Sequence, residues 1–158
     1  MSLEEEIGKL LRQKGLTLGV IESASGGLIS HLITNVPGSS DYYKGSVTSY
    51  SNEVKTKIVG VKAATIDRYG VVSAEVAKEM AQGGRKILGV DICLADTGIA
   101  GPTGATPGKP VGLFYIGLAH GAKTLTRQHN FTGEREQNKQ SAAEAALSWL
   151  KEYLLSLK

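Results

Sequence analysis

Two short stretches hold the residue types that can do chemistry together: Glu22-Ser23-Ala24-Ser25-Gly26-Gly27 and Tyr50-Ser51-Asn52-Glu53-Val54-Lys55. The first follows a strand-like run, Leu16 to Ile21, and precedes an apolar helical run, Leu28 to Val36. A hydroxyl at such a junction points at the free amides of a helix start, which suits a nucleophile, a bound anion or a plain cap alike. The second stretch places a phenol, a carboxylate and an amine at another strand-to-helix junction.

Serine attacks well only when a base removes its proton and donors receive the developing oxyanion. Ser23 is the candidate nucleophile, and the amides of Ser25, Gly26 and Gly27 are the candidate donors. Lys55 would sit in the first turn of a helix opening at Asn52, where the positive end of the dipole disfavours a cation. Partial burial would lower its pKa further, as a base working near neutral pH requires. Tyr50, at the strand end, is placed to bond both and pass a proton. Each residue also has a plain counterpart: Ser23 or Ser25 as helix cap, Lys55 as a solvated lysine, Tyr50 as a half-buried aromatic. At the far end of the chain, Arg135 and Lys139 lie one helical turn apart and suit either a phosphate or a solvated face shared with Glu134 and Glu136.

The elements that must carry these residues follow from periodicity. Ser2 to Gln13 reads as an amphipathic helix, with a Ser2/Glu5 capping box and Gly15 as its stop. A strand at Leu16 to Ile21, a helix from Gly27 to Val36 and a strand from Gly45 to Tyr50 come next. Short helices fit Asn52 to Val59 and Ala63 to Arg68, and Ser73 caps a long one whose Gly83-Gly84 pair implies close packing against a neighbour. Asp91 to Asp96 reads as a buried strand, Val111 to Ala119 and Lys123 to Phe131 as a hairpin, and Glu134 to Leu157 as the last helix. Helix-separated strands ending in a hairpin imply an α/β fold: a three-layer α/β/α sandwich with a mixed sheet, in one domain over residues 1–158. The loops after Ile21, Tyr50 and Asp96 would then share one edge, where such sheets bind ligands.

Composition narrows the partners. Eighteen basic residues against fifteen acidic, with no basic block, give a net +3 that mildly favours anions without suggesting a nucleic-acid protein. One cysteine, Cys93, rules out an internal disulfide and fits a reducing cytoplasm. No apolar run approaches the ~20 residues that span a bilayer, so no membrane partner is expected. Twenty glycines cluster in loops, Gly26-Gly27 and Gly98 to Gly112, at turns or at an approach to ligand.

Several short motifs fail. Gly104 to Lys109 is one residue short of a Walker A loop, and Pro110 stands where its Ser or Thr would be. Asp96-Thr97-Gly98 spells the aspartic-protease tripeptide, but that chemistry needs a second carboxylate sharing a proton, and a helix-rich α/β chain is the wrong frame for it. His31, His120, His129 and Cys93 lack ligand spacing, so no metal is expected, and His31 reads as structural.

In order, ESASGG, YSNEVK, GVVSAEVAKEMAQG, TGIAGPTG with KPVG, and FTGER resemble the CinA C-terminal domain family, whose stand-alone members are nicotinamide-nucleotide amidases of the PncC type. The resemblance runs from about Leu16 to Leu155. It implies hydrolysis of the carboxamide of nicotinamide mononucleotide (NMN) to nicotinate mononucleotide and ammonia, in cytoplasmic pyridine-nucleotide salvage, without metal or cofactor. By motif, Ser23 is then the nucleophile, Lys55 the base and Tyr50 the assisting phenol; the glycine loops, Gly98 and Gly101 among them, with Arg135 and Lys139, are candidates for the phosphate. The family usually reads ESCTGG, so Ala24 and Ser25 depart from it; Ser25 keeps the hydroxyl, and Ala24 removes a thiol that this mechanism does not use. The N-terminal domain of the long family form is not in this sequence, so its pyrophosphatase-type activity is not expected. The alternatives are a silent nucleotide-binding or regulatory domain on the same fold, or an amidase for another small carboxamide. A homo-oligomer is expected, of unspecified number.

Overall fold

The chain opens on a reciprocal cap: Ser2 accepts the amide of Glu5, whose carboxylate reaches back to the Ser2 amide, and this starts α1 (Leu3–Lys14). The computed structural model that shows this describes residues 1–158. β1 (Leu18–Glu22) follows, then α2 (Leu28–Thr34) and β2 (Tyr43–Thr48). α3 begins as one α-turn (Asn52–Val54), capped by Ser51, and widens into a π-turn (Lys55–Val59). After it come α4 (Ala63–Tyr69), α5 (Ala74–Leu88), β3 (Ile92–Gly98), the hairpin β4 (Leu113–His120) and β5 (Lys123–Asn130), and α6 (Arg135–Ser156).

The five strands form one sheet in the order β2-β1-β3-β4-β5. β1 runs parallel to both of its neighbours, while β4 is antiparallel to β3 and to β5. All five residues of β1 are buried, as are the first six of β3, because parallel strands at a sheet's centre are covered on both faces. Alternation then divides their side chains between two cores. Val20 and Leu94 join Ile7, Leu11, Ile29 and Leu150, beneath α1, α2 and α6. Ile21 and Cys93 join Val59, Val76 and Met80, beneath α3 and α5. The chain is therefore a three-layer α/β/α sandwich with a mixed sheet and a C-terminal hairpin.

Gly84 is where α5 meets the sheet: a Cβ there would lie 2.2 Å from Ile21 Cγ1 and 2.7 Å from Cys93 Sγ. Only a bare backbone allows that approach, which explains a Gly-Gly pair inside a helix. No helix is long and apolar enough to cross a membrane.

One boundary that bears on the site differs from the sequence expectation. β2 ends at Thr48, not Tyr50, because Thr48 pairs with Glu22, the last residue of β1. Ser49 then donates its amide to the Glu22 carbonyl and the strand stops. Tyr50 thus lies in the connection to α3, with its side chain exposed.

Candidate active site

β1, β2 and β3 end on the same edge of the sheet, and the segments leaving them enclose a cleft of about 320 Å³. Ser23 follows β1 directly, Lys55 stands on α3 beyond β2, and Thr97 to Ala100 carry the chain out of β3. These three departures are adjacent because β1 lies between β2 and β3 and runs parallel to both.

Lys55 Nζ lies 2.9 Å from Ser23 Oγ, 2.5 Å from the Ser49 carbonyl and 3.2 Å from the Tyr50 carbonyl. The residue is 1% exposed. Burial penalises its charged form and lowers its pKa from 10.5 to about 8, against a smaller upward pull from Asp96. An ammonium has three N–H groups, and here three oxygens receive them. Once the proton leaves, the two carbonyls still hold two N–H groups. The lone pair then faces the Ser23 hydroxyl, which is the geometry of a general base beside its nucleophile.

Two buried carboxylates hold the turn that presents Ser23. Asp96, near the end of β3 and wholly buried, accepts the amides of Ser23 and Ser25, each at 3.0 Å, and contacts the Ser25 hydroxyl closely. Glu22, equally buried, accepts the Ser25 hydroxyl at 2.7 Å and the amides of Gly27, Ile29 and Ser30. It also accepts the Ser30 hydroxyl at 2.6 Å. Glu22 therefore satisfies the free amides that open α2, a role usually filled by the residue next to the helix. Burial pushes Asp96 up to about 6, opposed by the Ser25 and Ser23 bonds and assisted by the charge of Glu22.

This framework corrects the expected oxyanion donors. The amide of Ser25 is committed to Asp96, that of Gly26 to the Ser23 carbonyl and that of Gly27 to Glu22. The Ala24 amide has no acceptor within the chain, and Ala24 lines the cleft. Asp96, Glu22 and Ala24 were not among the expected site residues. Their signals were faint: a carboxylate closing an otherwise apolar strand at Asp96, and another at the last position of β1. The tripeptide Asp96-Thr97-Gly98 points to the right residue for the wrong chemistry, since both carboxylates are saturated by donors of the turn.

The other expected residues separate into two hollows. Gly98 and Arg135 line the cleft of Ser23, with Tyr50. The Tyr50 phenol accepts from Arg135 at 3.1 Å and makes no hydrogen bond to Ser23 or Lys55; only its carbonyl meets Lys55. Arg135 also donates to the Gly101 carbonyl at 2.8 Å, so Gly101 braces the guanidinium and faces a neighbouring hollow. Lys139 does not join Arg135. It lines a separate groove behind the turn with Gly26, Gly27 and His31. His31, expected to be structural, is exposed on that groove, its ring 3.4 Å from the Asn35 amide nitrogen.

The family model described as the CinA C-terminal domain matches residues 1–154. A provisionally named competence-damage inducible protein of Halothermothrix orenii is 50% identical over 97% of this chain and 37% of its own length. A CinA-like protein of Salinibacter ruber is 47% identical over 93% of this chain and 36% of its own. The chain thus spans little more than a third of these relatives. The crystal structure of competence damage-inducible protein A from Klebsiella pneumoniae superposes with a TM-score of 0.96 at 29% identity, covering 99% of this chain and 97% of that one. The competence/damage inducible protein CihA of Agrobacterium tumefaciens gives 0.90 at 29% identity, covering 99% and 100%.

Proposed function

Because the chain belongs to the CinA C-terminal domain family, we propose that it is a serine–lysine amidase that hydrolyses the carboxamide of NMN to nicotinate mononucleotide and ammonia. The observation that carries this reading is the 2.9 Å contact between Ser23 Oγ and a buried Lys55 whose pKa falls to about 8.

In this mechanism neutral Lys55 takes the Ser23 proton as Oγ bonds to the carboxamide carbon. The carbonyl π electrons move onto oxygen, which the free Ala24 amide meets. The Lys55 ammonium then protonates the amide nitrogen, the C–N bond breaks, and ammonia leaves. Water, deprotonated by Lys55, attacks the acyl ester; Ser23 departs and recovers its proton, and the carboxylic acid is released. Val71, Val72 and Ile99 give the cleft an apolar wall suited to a pyridine ring. Arg135 stands on its rim, with guanidinium donors left over after Gly101 and Tyr50, and suits a phosphate. Lys139, in the other groove, is outside this assignment.

The test is ammonia release from NMN by the parent, Ser23→Ala and Lys55→Ala. Expected is release by the parent and a loss of about a thousandfold or more in each folded variant, as removal of a nucleophile or its base gives elsewhere. NMN bound but not hydrolysed by the parent would replace this reading with a silent binding domain. Nicotinamide riboside should be a poor substrate; equal rates would point to an amidase for another small carboxamide.

A further inference from the structure

We propose that Asp96 is the third member of the site, a positioning residue that holds the Ser23 turn and supplies the counter-charge for the ammonium formed when Lys55 takes the serine proton. This rests on the serine–lysine reading above.

The geometry makes Asp96 the link between β3 and the nucleophile. Its two oxygens receive the amides on either side of Ala24, so the backbone of Ser23 and Ser25 cannot rotate without breaking a buried bond to a carboxylate. Among the charged groups around this buried turn, Glu22 at the end of β1 is a second anion, already saturated by Gly27, Ile29 and Ser30. The cation whose pKa Asp96 raises is Lys55, on α3. Arg135 of α6 is outside the turn, bonded to Tyr50 and Gly101.

Proton counting gives Asp96 a charge when the site works. The Ser25 hydroxyl lies within reach of Glu22 Oε1 and of Asp96 Oδ1, yet it has one proton to donate. Below about pH 6 Asp96 carries its own proton and Ser25 serves Glu22. Above it, Asp96 is ionised and competes with Glu22 for the Ser25 proton, while Glu22 keeps its other donors. Lys55 loses its proton near pH 8, so Asp96 is already negative there. Its charge stabilises the ammonium of the transition state, where the nucleophile's proton has just arrived on a buried amine.

The discriminating readout is the titration of Lys55 itself, followed by 15N NMR of protein labelled at lysine, with Lys55→Arg identifying the signal. In Asp96→Asn the Lys55 midpoint should fall by about one unit, because an opposite charge has been removed from a buried group. A merely structural role has the opposite sign: a loosened turn would let water reach Lys55 and raise its midpoint. A midpoint that is unchanged or raised overturns the proposal. Should Asp96→Asn fail to fold, the parent alone decides. Its Lys55 signal should show a step near pH 6, where Asp96 titrates, and a flat trace there refutes the coupling. Neither measurement needs turnover, so an absence of NMN hydrolysis would count against the amidase and not against Asp96.

Discussion

The burial of Lys55 should be measurable as stability. With its pKa lowered from 10.5 to about 8 in the fold, the unfolded chain binds more protons than the folded one between those values, so stability must rise with pH across that window. Taking 1.36 kcal/mol for each pKa unit, the neutral amine at pH 10.5 relieves about 3 kcal/mol of the penalty present at pH 7. Lys55→Met keeps much of the side-chain volume and cannot titrate. The experiment is urea unfolding of both proteins at pH 7, 8, 9 and 10.5. The stability of the parent minus that of the variant should climb by about 3 kcal/mol over the series. Taking the difference cancels the ionisations the two proteins share, including the Cys93 thiol, which burial pushes up to about 12. The loss of bonds to Ser23, Ser49 and Tyr50 shifts all points alike and leaves the slope untouched. A difference that stays flat within about 0.5 kcal/mol would mean that Lys55 titrates in the fold as in the coil. Lys55 would then be no base near neutral pH, and the serine–lysine reading would lose its support.

Two further outcomes follow from the packing. Tyr50→Phe removes a bond to Arg135, not a proton carrier, so kcat for NMN should fall less than about tenfold with the larger change in KM; a loss matching that of Ser23→Ala would restore the phenol to the proton path. Gly84→Ala drives a methyl against Ile21 and Cys93 and should cost about 1–3 kcal/mol in urea unfolding, whereas a stability equal to the parent's would show that α5 can ride away from the sheet.

Much of this molecule was legible in one dimension, for a physical reason. Local signals act over a few residues: the Ser2/Glu5 box, the Gly15 stop and the Ser73 cap all form where the sequence places them. The period of the apolar residues carries the layers, since a covered central strand needs a continuous apolar run and a surface helix needs a stripe. Even the candidate pair Ser23 and Lys55 can be named from residue type at two strand-to-helix junctions.

What sequence could not supply is how the junctions meet. The approach of Ser23 to Lys55 depends on β1 lying beside β2, a pairing across 25 to 26 positions that no local pattern encodes. The fate of each amide at the turn was beyond it too. Gly26 and Gly27 look like open donors until Glu22 and the Ser23 carbonyl are found occupying them. Arg135 and Lys139 share a helix turn but not a hollow, because the turn from Ser23 to Gly27 stands between their cavities. Asp96 lies seventy-three positions from Ser23 and meets it only because β3 pairs with β1. A carboxylate at the end of an apolar strand is unremarkable in a list of residues. Buried beside a nucleophile and a lysine whose pKa burial lowers, it acquires its chemistry from desolvation and neighbours, which exist only in the folded chain.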